Sequence, residues 1–374
     1  MKSLDPDFLE RQAIPIEMGG LIQALGEFKG RQELFRHQSP QVLESLRQVA
    51  IIESTESSNR IEGVTVAPDR FRELMLHPIK PKDRSEAEIL GYRNVLSQIH
   101  TTPDRFEITE ETIQGFHRAL YAQTNLPGGH WKRRDNTIEE RLPDGRWITR
   151  FVPVSSRETP FYMKELSSRF DRLWDQRRIS PLLLIPAYVL DFLCIHPFTD
   201  GNGRVSRLLT VLLLHQSGYG VGRYISLERL IEQSKETYYE ALQMSSEGWH
   251  EARHRLKPWW EYCLGTLIGA YREFEERVGT ITTARGAKTA LIEQAIERLP
   301  PRFRIADLEQ ACPPVSRDMI RVVLNRLRKE GILDCKGTGR SAFWQKRGNN
   351  APKRGNKRGN KFPQRGNVPK RGQK

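Results

Sequence analysis

Residues 182–218 read LLLIPAYVLDFLCI (182–195), HPFTDGNGRVSR (196–207) and LLTVLLLHQSG (208–218). The first and last stretches are apolar and long enough for helices, and a helix that is apolar on all sides is buried. The middle stretch is polar and rich in glycine. The sequence therefore predicts a Gly-rich loop held between two buried helices.

This loop has the features of an anion site. The backbone N–H groups of Gly201, Asn202 and Gly203 precede a helix, where amides point outward and the helix dipole favours negative charge. Arg204 and Arg207 are three residues apart on the first turn of that helix, so both guanidinium groups can reach one anion. Gly-Asn-Gly usually forms a simple turn between two helices. Here the two arginines that follow it favour a site for two consecutive phosphates.

Two titratable residues lie beside the predicted anion site. Asp200 is a hard oxygen ligand, suited to a Mg²⁺ ion that bridges phosphate oxygens. His196 has an ordinary pKa near neutrality and can accept a proton from a hydroxyl. Taken alone, a histidine at a helix end is more often structural, so its role depends on the residues around it.

Residues 196–207 resemble the full signature of the Fic family, HPFx(D/E)GNGRxxR, without a departure. The resemblance is strong over about residues 108–218 and weaker in the flanking helices. It implies a mainly α fold with a Fic-type helical core and a short flap hairpin. It also implies protein adenylylation, the transfer of AMP from ATP to a protein hydroxyl.

By this resemblance, His196 is the general base that deprotonates a Ser, Thr or Tyr hydroxyl of a target protein; whether the chain is also its own target is left open. That hydroxyl attacks the α-phosphate of ATP and expels pyrophosphate. The amides of residues 201–203 would hold phosphate oxygens, and Asp200 would hold Mg²⁺. Arg204 and Arg207 would bind the β- and γ-phosphates.

The resemblance extends to two peripheral groups of residues. ERLPDGRWITRFVPV reads as a hairpin around Pro143-Asp144-Gly145, and its second strand, with Thr149, Arg150 and Phe151, corresponds to the flap that docks the target peptide. Tyr238 and Tyr239 correspond to a pair near the adenine. They are equally consistent with core aromatic residues.

A short motif before the core resembles the inhibitory motif of the family, (S/T)xxxE(G/N). It lies at the end of a predicted helix that starts near Ser39-Pro40 and closes at Gly63. Ser58 and Glu62 are four residues apart and share a helix face. The resemblance implies that Glu62 pairs with Arg207 and keeps ATP from binding productively. The alternative is a glutamate that merely lies in the last turn of an exposed helix, but the place of the motif before the core favours the inhibitory role.

The C-terminal part is predicted to form another module. GAKTALIEQAIERLP, RIADLEQAC and VSRDMIRVVLNRLRKEG read as three amphipathic helices, and ILDCKGTGRSAFWQK reads as two strands around a Gly-Thr-Gly turn. Together they resemble a winged helix-turn-helix. We therefore expect an N-terminal segment (1–105), a Fic core (106–225), a helical linker (226–284), the winged module (285–346) and a disordered basic tail (347–374).

The charge is concentrated at the C-terminal end. The chain has 374 residues and a net charge of +14, but eleven Lys and Arg and no Asp or Glu lie from Lys346 onward, which leaves +3 on the rest. The tail repeats an RGN unit and lacks the apolar residues that ordering requires. It would bind nucleic acid nonspecifically or act only as a solubilising segment.

The remaining composition favours a reduced, cytoplasmic protein. The four cysteines are far apart, without metal or disulfide spacing. The sequence has neither an apolar run of about 18 residues nor a signal-peptide pattern at its start, so we expect no membrane partner. A homodimer is left open.

Two other functions remain open at this point. The first is a DNA-binding regulator in which the core only senses ATP. In that case the winged helix and the tail would contact duplex DNA through Arg317, Arg321, Arg328 and Lys329. The second is another reaction on the same core, such as transfer of UMP or phosphocholine, or removal of AMP with Glu62 guiding a water molecule.

Overall fold

The computed structural model describes residues 3–38, 40–141, 144–283, 287–312, 315–337 and 342–347. Ser39, Pro143, the end of the predicted Gly-Thr-Gly turn and the tail beyond Arg347 lie outside the described residues, so the expected disorder of the tail stays a prediction. The described residues are mainly helical, which confirms the predicted fold class.

The α-helices are α1 (Pro6–Glu10), α2 (Ile16–Gln38), α3 (Pro40–Ile61), α4 (Pro68–Leu76), α5 (Arg84–Thr101), α6 (Glu110–Leu120), α7 (Thr159–Gln176), α8 (Pro181–Ile195), α9 (Asn202–Gln216), α10 (Leu227–Gln233), α11 (Lys235–Ser246), α12 (Lys257–Thr283), α13 (Ala287–Arg298), α14 (Ile305–Ala311) and α15 (Arg317–Lys329). The strands are β1 (Ile138–Arg141), β2 (Trp147–Phe151), β3 (Arg302–Phe303), β4 (Leu333–Lys336) and β5 (Phe343–Lys346). None of the helices in the described ranges is both long and apolar enough to span a membrane.

The centre of the core is the pair of buried helices α8 and α9, which pack on each other. Ser180 caps the start of α8 with its side chain, which accepts from Leu182 N at 3.3 Å, and nearly every later residue of the helix is buried. α7 and α12 pack on α8, while α5 and α6 pack on α9. Because both helices are surrounded by the core, the loop between them is fixed at both ends.

Helix α3 approaches the start of α9 with its C-terminal end. Gly63 has φ 77°, its N–H donates to Arg60 O at 3.0 Å, and Val64 N–H donates to Asn59 O at 2.9 Å. This is the Schellman arrangement, which a glycine in the left-handed region makes without strain. The termination places Glu62 between the last helical residue, Ile61, and the turn.

The hairpin β1–β2 contains a β-bulge. Ile138 is paired with Phe151 and Glu139 with Thr149, so Arg150 is the extra residue on β2. A bulge reverses the alternation of faces beyond it. Trp147 and Thr149 are therefore exposed while Phe151 is half-buried, whereas simple alternation puts all three on one face.

The C-terminal part combines α13, α14 and α15 with an antiparallel sheet in the order β3-β5-β4. Ser316 caps α15, and Gly331, with φ 78°, follows its end. The sequence does not predict β3, because two residues are too short to show a strand period. Cys312, Leu324 and Trp344 belong to the buried core of this part.

Candidate active site

His196 lies where α8 ends. Its backbone is left-handed, with φ 51° and ψ 60°, and its N–H donates to Phe192 O at 2.9 Å. This conformation is uncommon for a non-glycine residue and is often found at functional sites. Imidazole Nδ1 lies 3.3 Å from Leu193 O. A carbonyl oxygen can only accept, so in this contact Nδ1 carries the proton and Nε2 keeps its lone pair.

The imidazole of His196 is held in its neutral form. Burial lowers its pKa to about 4, against the opposing effect of the Leu193 carbonyl, and the Lys132 ammonium adds to the lowering. Lys132 is itself buried and donates to Ile195 O at 3.2 Å and to Asn136 Oδ1 at 2.8 Å. At pH 7 the His196 ring is therefore a proton acceptor.

Side chains from both sides hold the loop that follows His196. The Asn202 amide donates to Phe198 O at 2.8 Å and accepts from Phe198 N at 2.9 Å. The His117 ring stacks on Phe198 at 3.8 Å between centroids. Gly129 N–H donates to His117 Nδ1 at 2.8 Å, so Nε2 carries the proton and donates to Asp200 O at 3.1 Å. The backbone of the loop is thus set before any ligand binds.

Asp200 presents an ionised carboxylate to the site. Its Oδ1 accepts from Gly201 N at 2.7 Å and its Oδ2 from Arg84 Nη2 at 2.9 Å. Burial works to raise the pKa of Asp200, but Arg204, the Gly201 N–H and the Tyr121 hydroxyl together lower it. Within the described ranges, no cluster of three or more His, Cys, Asp or Glu side chains could hold a metal ion.

The Arg204 side chain is turned into the protein. It is 1% exposed, and its Nη1 donates to the buried carboxylate of Glu88. Its Nη2 donates to the hydroxyl of Tyr121 at 2.8 Å. The guanidinium is therefore occupied by protein groups, and the phosphate contact implied by the resemblance stays a prediction for this residue.

The N-terminus of α9 forms the floor of the site. The amides of Asn202, Gly203 and Arg204 belong to its first turn, where helical geometry gives them no intrahelical acceptor. Glu62 Oε1 lies so close to Gly203 that a Cβ atom on this glycine would collide with it. A carboxylate of the protein thus lies at the end of the helix that favours an anion.

Arg207 joins α9 to the end of α3. Its Nη2 donates to Glu62 Oε1 at 2.8 Å and to Ser58 O at 2.9 Å, and its Nε donates to Ser58 Oγ at 2.8 Å. The Arg207 side chain is 4% exposed and that of Glu62 is 28% exposed. Lys235 donates to Ile61 O at 3.2 Å, which ties the last turn of α3 to α11 as well.

The two tyrosines of α11 have different surroundings. Tyr238 is buried and packs edge-to-face on Trp259 and Tyr262, at 5.5 and 5.6 Å between ring centroids. Tyr239 is 44% exposed, and the charges of Glu62 and Arg207 act on its hydroxyl. Tyr238 is thus a core residue that borders the site, and Tyr239 is the more exposed member of the pair, with the Lys235 ammonium 5.9 Å from its ring centroid.

The hairpin is attached to the core through β2. Arg150 Nη1 donates to Gln243 Oε1 on α11 at 2.7 Å. Phe151 stacks on His250 at 5.5 Å between centroids, and His250 Nε2 donates to Val152 O at 2.8 Å. Thr149 is exposed. β1 pairs with one edge of β2, and within the described residues the other edge of this two-stranded sheet has no partner strand.

Sequence reasoning missed a set of residues that build the site from outside the loop. They come from three separate places in the chain, namely α5, the C-terminal end of α6 and the segment between α6 and β1, and no spacing in the sequence links them to residues 196–207. What they share is a side-chain hydrogen bond to the loop, to Arg204 or, for Lys132, to the carbonyl of Ile195 just before His196. These residues are Arg84, Glu88, His117, Tyr121 and Lys132.

Comparison with known proteins identifies the region around this site. Residues 107–214 match the model of the Fic/DOC family. The chain is 27% identical over 220 residues to the protein adenylyltransferase Fic of Drosophila erecta, which covers 57% of this chain and 40% of the relative. The same-named protein of Drosophila melanogaster is 26% identical, with 57% and 41% covered. The chain therefore spans about 40% of the length of these curated relatives.

Solved structures give the same fold. A Fic family protein from Desulfovibrio desulfuricans superposes with a TM-score of 0.57 at 20% identity, covering 91% of this chain and 98% of the other. A Fic domain-containing signalling protein from Bacteroides thetaiotaomicron also gives 0.57, at 22% identity, covering 66% of this chain and 94% of the other. The mainly helical fold is therefore a Fic fold, and the chain contains a Fic/DOC domain within residues 107–214.

Proposed function

We propose that this chain transfers AMP from ATP to a Ser, Thr or Tyr hydroxyl of a target protein, and that Glu62 inhibits this activity in the resting state. The observation that supports it best is the loop between α8 and α9. It gathers the neutral imidazole of His196, the ionised carboxylate of Asp200 and the free amides at the start of α9 around one space. Curated relatives of the chain bear the name protein adenylyltransferase Fic.

In the proposed reaction, Nε2 of His196 accepts the proton of the target hydroxyl. The hydroxyl oxygen forms a bond to the α-phosphorus of ATP, while the bond from that phosphorus to the bridging oxygen breaks and pyrophosphate leaves. The neutral state of His196 suits it to this step. Only one proton moves to a side chain, and the remaining acceleration comes from positioning and charge stabilisation.

The residues present fit a nucleotide with Mg²⁺. The first-turn amides of α9 would bind phosphate oxygens, and Arg207 would bind the terminal phosphate once Glu62 leaves it. Asp200 is an ionised carboxylate with a half-exposed side chain, and Mg²⁺ typically takes one or two carboxylates with phosphates and water. When bound, the ion supplies charge neutralisation at the phosphates.

Glu62 would inhibit by occupying groups that the nucleotide needs. Its carboxylate pairs with Arg207 at 2.8 Å and covers Gly203 at the start of α9. A γ-phosphate and this carboxylate compete for the same guanidinium. Movement of the end of α3 would release Arg207, so the resting activity is low but inducible.

We assign the peripheral residues by the same argument. Strand β2, with Thr149, Arg150 and Phe151, would align the target peptide as an added strand. Tyr239, which is 44% exposed and lies near Glu62, would contact the adenine with its ring. The helices α13–α15 with the three-stranded sheet would form a winged helix-turn-helix. Arg317 and Arg321 on α15 pair with Glu309 and Asp318, so this helix favours protein contacts at least as much as DNA.

The test uses ATP labelled at its α-phosphate, with Mg²⁺. It measures the transfer of labelled AMP to the chain itself and to the proteins of a lysate. Three proteins are compared: the wild type, Glu62→Gly, and Glu62→Gly combined with His196→Ala. Strong labelling by Glu62→Gly alone is expected. Absence of label in all three overturns adenylyl transfer.

The same assay separates the two alternatives. If the main activity is removal of AMP, Glu62→Gly abolishes it instead of releasing transfer. If the core only senses ATP, none of the three proteins transfers a nucleotide, and ATP alters the binding of duplex DNA instead.

A further inference from the structure

Lys132 contacts the backbone on both sides of His196. Its backbone N–H donates to Pro197 O at 2.8 Å, and its side-chain ammonium donates to Ile195 O at 3.2 Å. Lys132 belongs to the segment between α6 and β1 and is 3% exposed. One residue from outside the helix–loop–helix unit thus holds both the residue before His196 and the residue after it.

The backbone between these two contacts has a conformation that needs support. His196 has φ 51° and ψ 60°, and in this left-handed region the Cβ atom of a residue is crowded by the following carbonyl oxygen. Such a conformation persists only where the surrounding structure fully determines it. The bond from His196 N–H to Phe192 O, at 2.9 Å, is local to α8. The two bonds from Lys132 are the support that comes from another part of the chain.

The ammonium of Lys132 also lies at the C-terminal end of α8. Ile195 is the last residue of this helix, so its carbonyl has no partner within the helix. The partial negative charge at this end of a helix favours a cation, and a lysine that bonds to a last carbonyl stabilises the helix end. Here the lysine lies 63 positions away from that carbonyl in the chain.

Asn136 ties the same ammonium to the loop after His196. Its Oδ1 accepts from Lys132 Nζ at 2.8 Å, and its Nδ2 donates to Phe198 O at 3.3 Å. The neighbouring Trp131 packs its ring on that of Phe198, at 5.1 Å between centroids. These contacts give Lys132 a fixed place against the end of α8 and the start of the loop.

We propose that Lys132 is a positioning residue that holds His196 in the orientation required for proton transfer. This inference rests on the proposed function, since it concerns the general base of that reaction. Proton transfer requires hydrogen-bond geometry between the base and the hydroxyl, and small displacements of reacting groups are costly. The proposed nucleotide contacts lie at the start of α9 and at Arg207. Loss of the ammonium therefore slows transfer and leaves nucleotide binding unchanged.

The experiment measures two properties of the full chain carrying Glu62→Gly as the parent. The first is the maximal rate of transfer of labelled AMP to the proteins of a lysate, at saturating ATP with Mg²⁺. The second is the affinity for α,β-methylene ATP, which cannot release AMP, measured by calorimetry. Lys132→Met, which keeps an apolar side chain without the ammonium, and Asn136→Ala are each added to the parent.

Lys29→Met is the matched control. Lys29 also donates from its ammonium to a backbone carbonyl at the end of a core helix, namely to Ser217 O at 2.8 Å. Ser217 caps the C-terminal end of α9, which is the end away from His196. This variant therefore removes a similar bond in the same fold without touching the residues around the general base.

The expected result is that the maximal rate falls about tenfold or more in Lys132→Met and about threefold in Asn136→Ala. The rate of Lys29→Met and the affinities of all three variants for the analogue should equal those of the parent. An unchanged rate in Lys132→Met overturns the inference.

A loss of affinity as large as the loss of rate also overturns the inference, because it indicates a general structural role. If circular dichroism shows that Lys132→Met does not fold, Asn136→Ala decides by the same two criteria. A parent that transfers no AMP overturns the proposed function itself, and this inference with it.

Discussion

Glu62 lies 2.8 Å from Arg207 through Oε1 and Nη2, and the same carboxylate covers Gly203 at the start of α9. One acidic side chain thus occupies both a guanidinium and a helix N-terminus, two groups that bind phosphate. The contact joins residues 145 positions apart in the chain. Any movement of the end of α3 therefore changes the anion site directly.

The first prediction concerns Ser58, which binds Arg207 beside Glu62. Ser58→Ala removes the acceptor of the Arg207 Nε–H bond but leaves the Glu62 pair intact. Loss of one such bond is worth about 1 kcal/mol, so AMP transfer should rise about fivefold, less than with Glu62→Gly. Labelled transfer by both variants measures the difference. Ser57→Ala is the neighbouring control, and a rise of equal size in it would contradict the specific role of Ser58.

The second prediction concerns Glu53, which anchors α3 farther from the site. Its carboxylate lies 3.4 Å from Arg229, 3.6 Å from Arg277 and 3.8 Å from Arg298, which belong to three other helices. Glu53→Gln leaves these charges less well compensated and should lower the free energy of unfolding by about 1–3 kcal/mol. It should also raise transfer several-fold, because α3 is held less firmly.

Urea unfolding and labelled transfer test both effects of Glu53→Gln. Glu56→Gln on the same helix is the control. Glu56 forms an exposed ion pair with Arg60, one turn later in α3, at 3.3 Å. Loss of stability with unchanged transfer would show that the Glu53 cluster stabilises the fold without holding the inhibitory end of α3.

These contacts show which parts of the site could be predicted. The loop 196–207 is contiguous, so its glycines, charges and flanking helices were visible together in the sequence. Gly63 marked the end of α3 because a left-handed C-cap is a local property. In contrast, Tyr121 and Glu88 reach Arg204 only through the packing of α5 and α6 on α9, and no local pattern signals that packing.

The orientation of individual side chains was also beyond the sequence. Arg204 and Arg207 are both on the first turns of α9 and were expected to act alike. In the structure Arg204 faces Glu88 and Tyr121, whereas Arg207 faces Glu62. The bulge at Arg150 is a similar case, because an alternating pattern contains no signal for one extra residue.

The third prediction is a pH profile for transfer by Glu62→Gly. The pKa of His196 is lowered to about 4, so its acceptor form predominates above that pH. The rate at low ATP concentration should therefore be flat from about pH 8 down to about pH 5.5, without the midpoint near 6.5 that an ordinary histidine gives. A half-maximal rate near pH 6.5 would contradict the lowered pKa of this ring. Return of acid-treated enzyme to pH 7.5 before assay controls for unfolding.

The fourth prediction is a loss of stability in mild acid, caused by buried histidines. Burial lowers the pKa of His100 to about 3 and those of His117 and His254 to about 4. It also lowers the pKa of His215 well below its ordinary value. Below about pH 6.5 the unfolded chain takes up protons that the folded chain refuses. Each ring should lower the free energy of unfolding by up to about 1.4 kcal/mol per pH unit.

Asp171 and Asp191 act in the opposite direction, because burial raises the pKa of each carboxyl group. Burial raises the pKa of Asp191 to about 6, so below that pH the folded chain binds a proton that the unfolded chain does not bind until lower pH, and this partly offsets the histidines. Urea unfolding at pH 7.5, 6.5 and 5.5 measures the net slope. Replacing one imidazole, as in His100→Gln, should reduce the pH dependence of the free energy of unfolding by the contribution of about one proton, which is up to about 1.4 kcal/mol per pH unit. A free energy of unfolding that is constant or rises over this range would show that these imidazoles are protonated inside the folded protein.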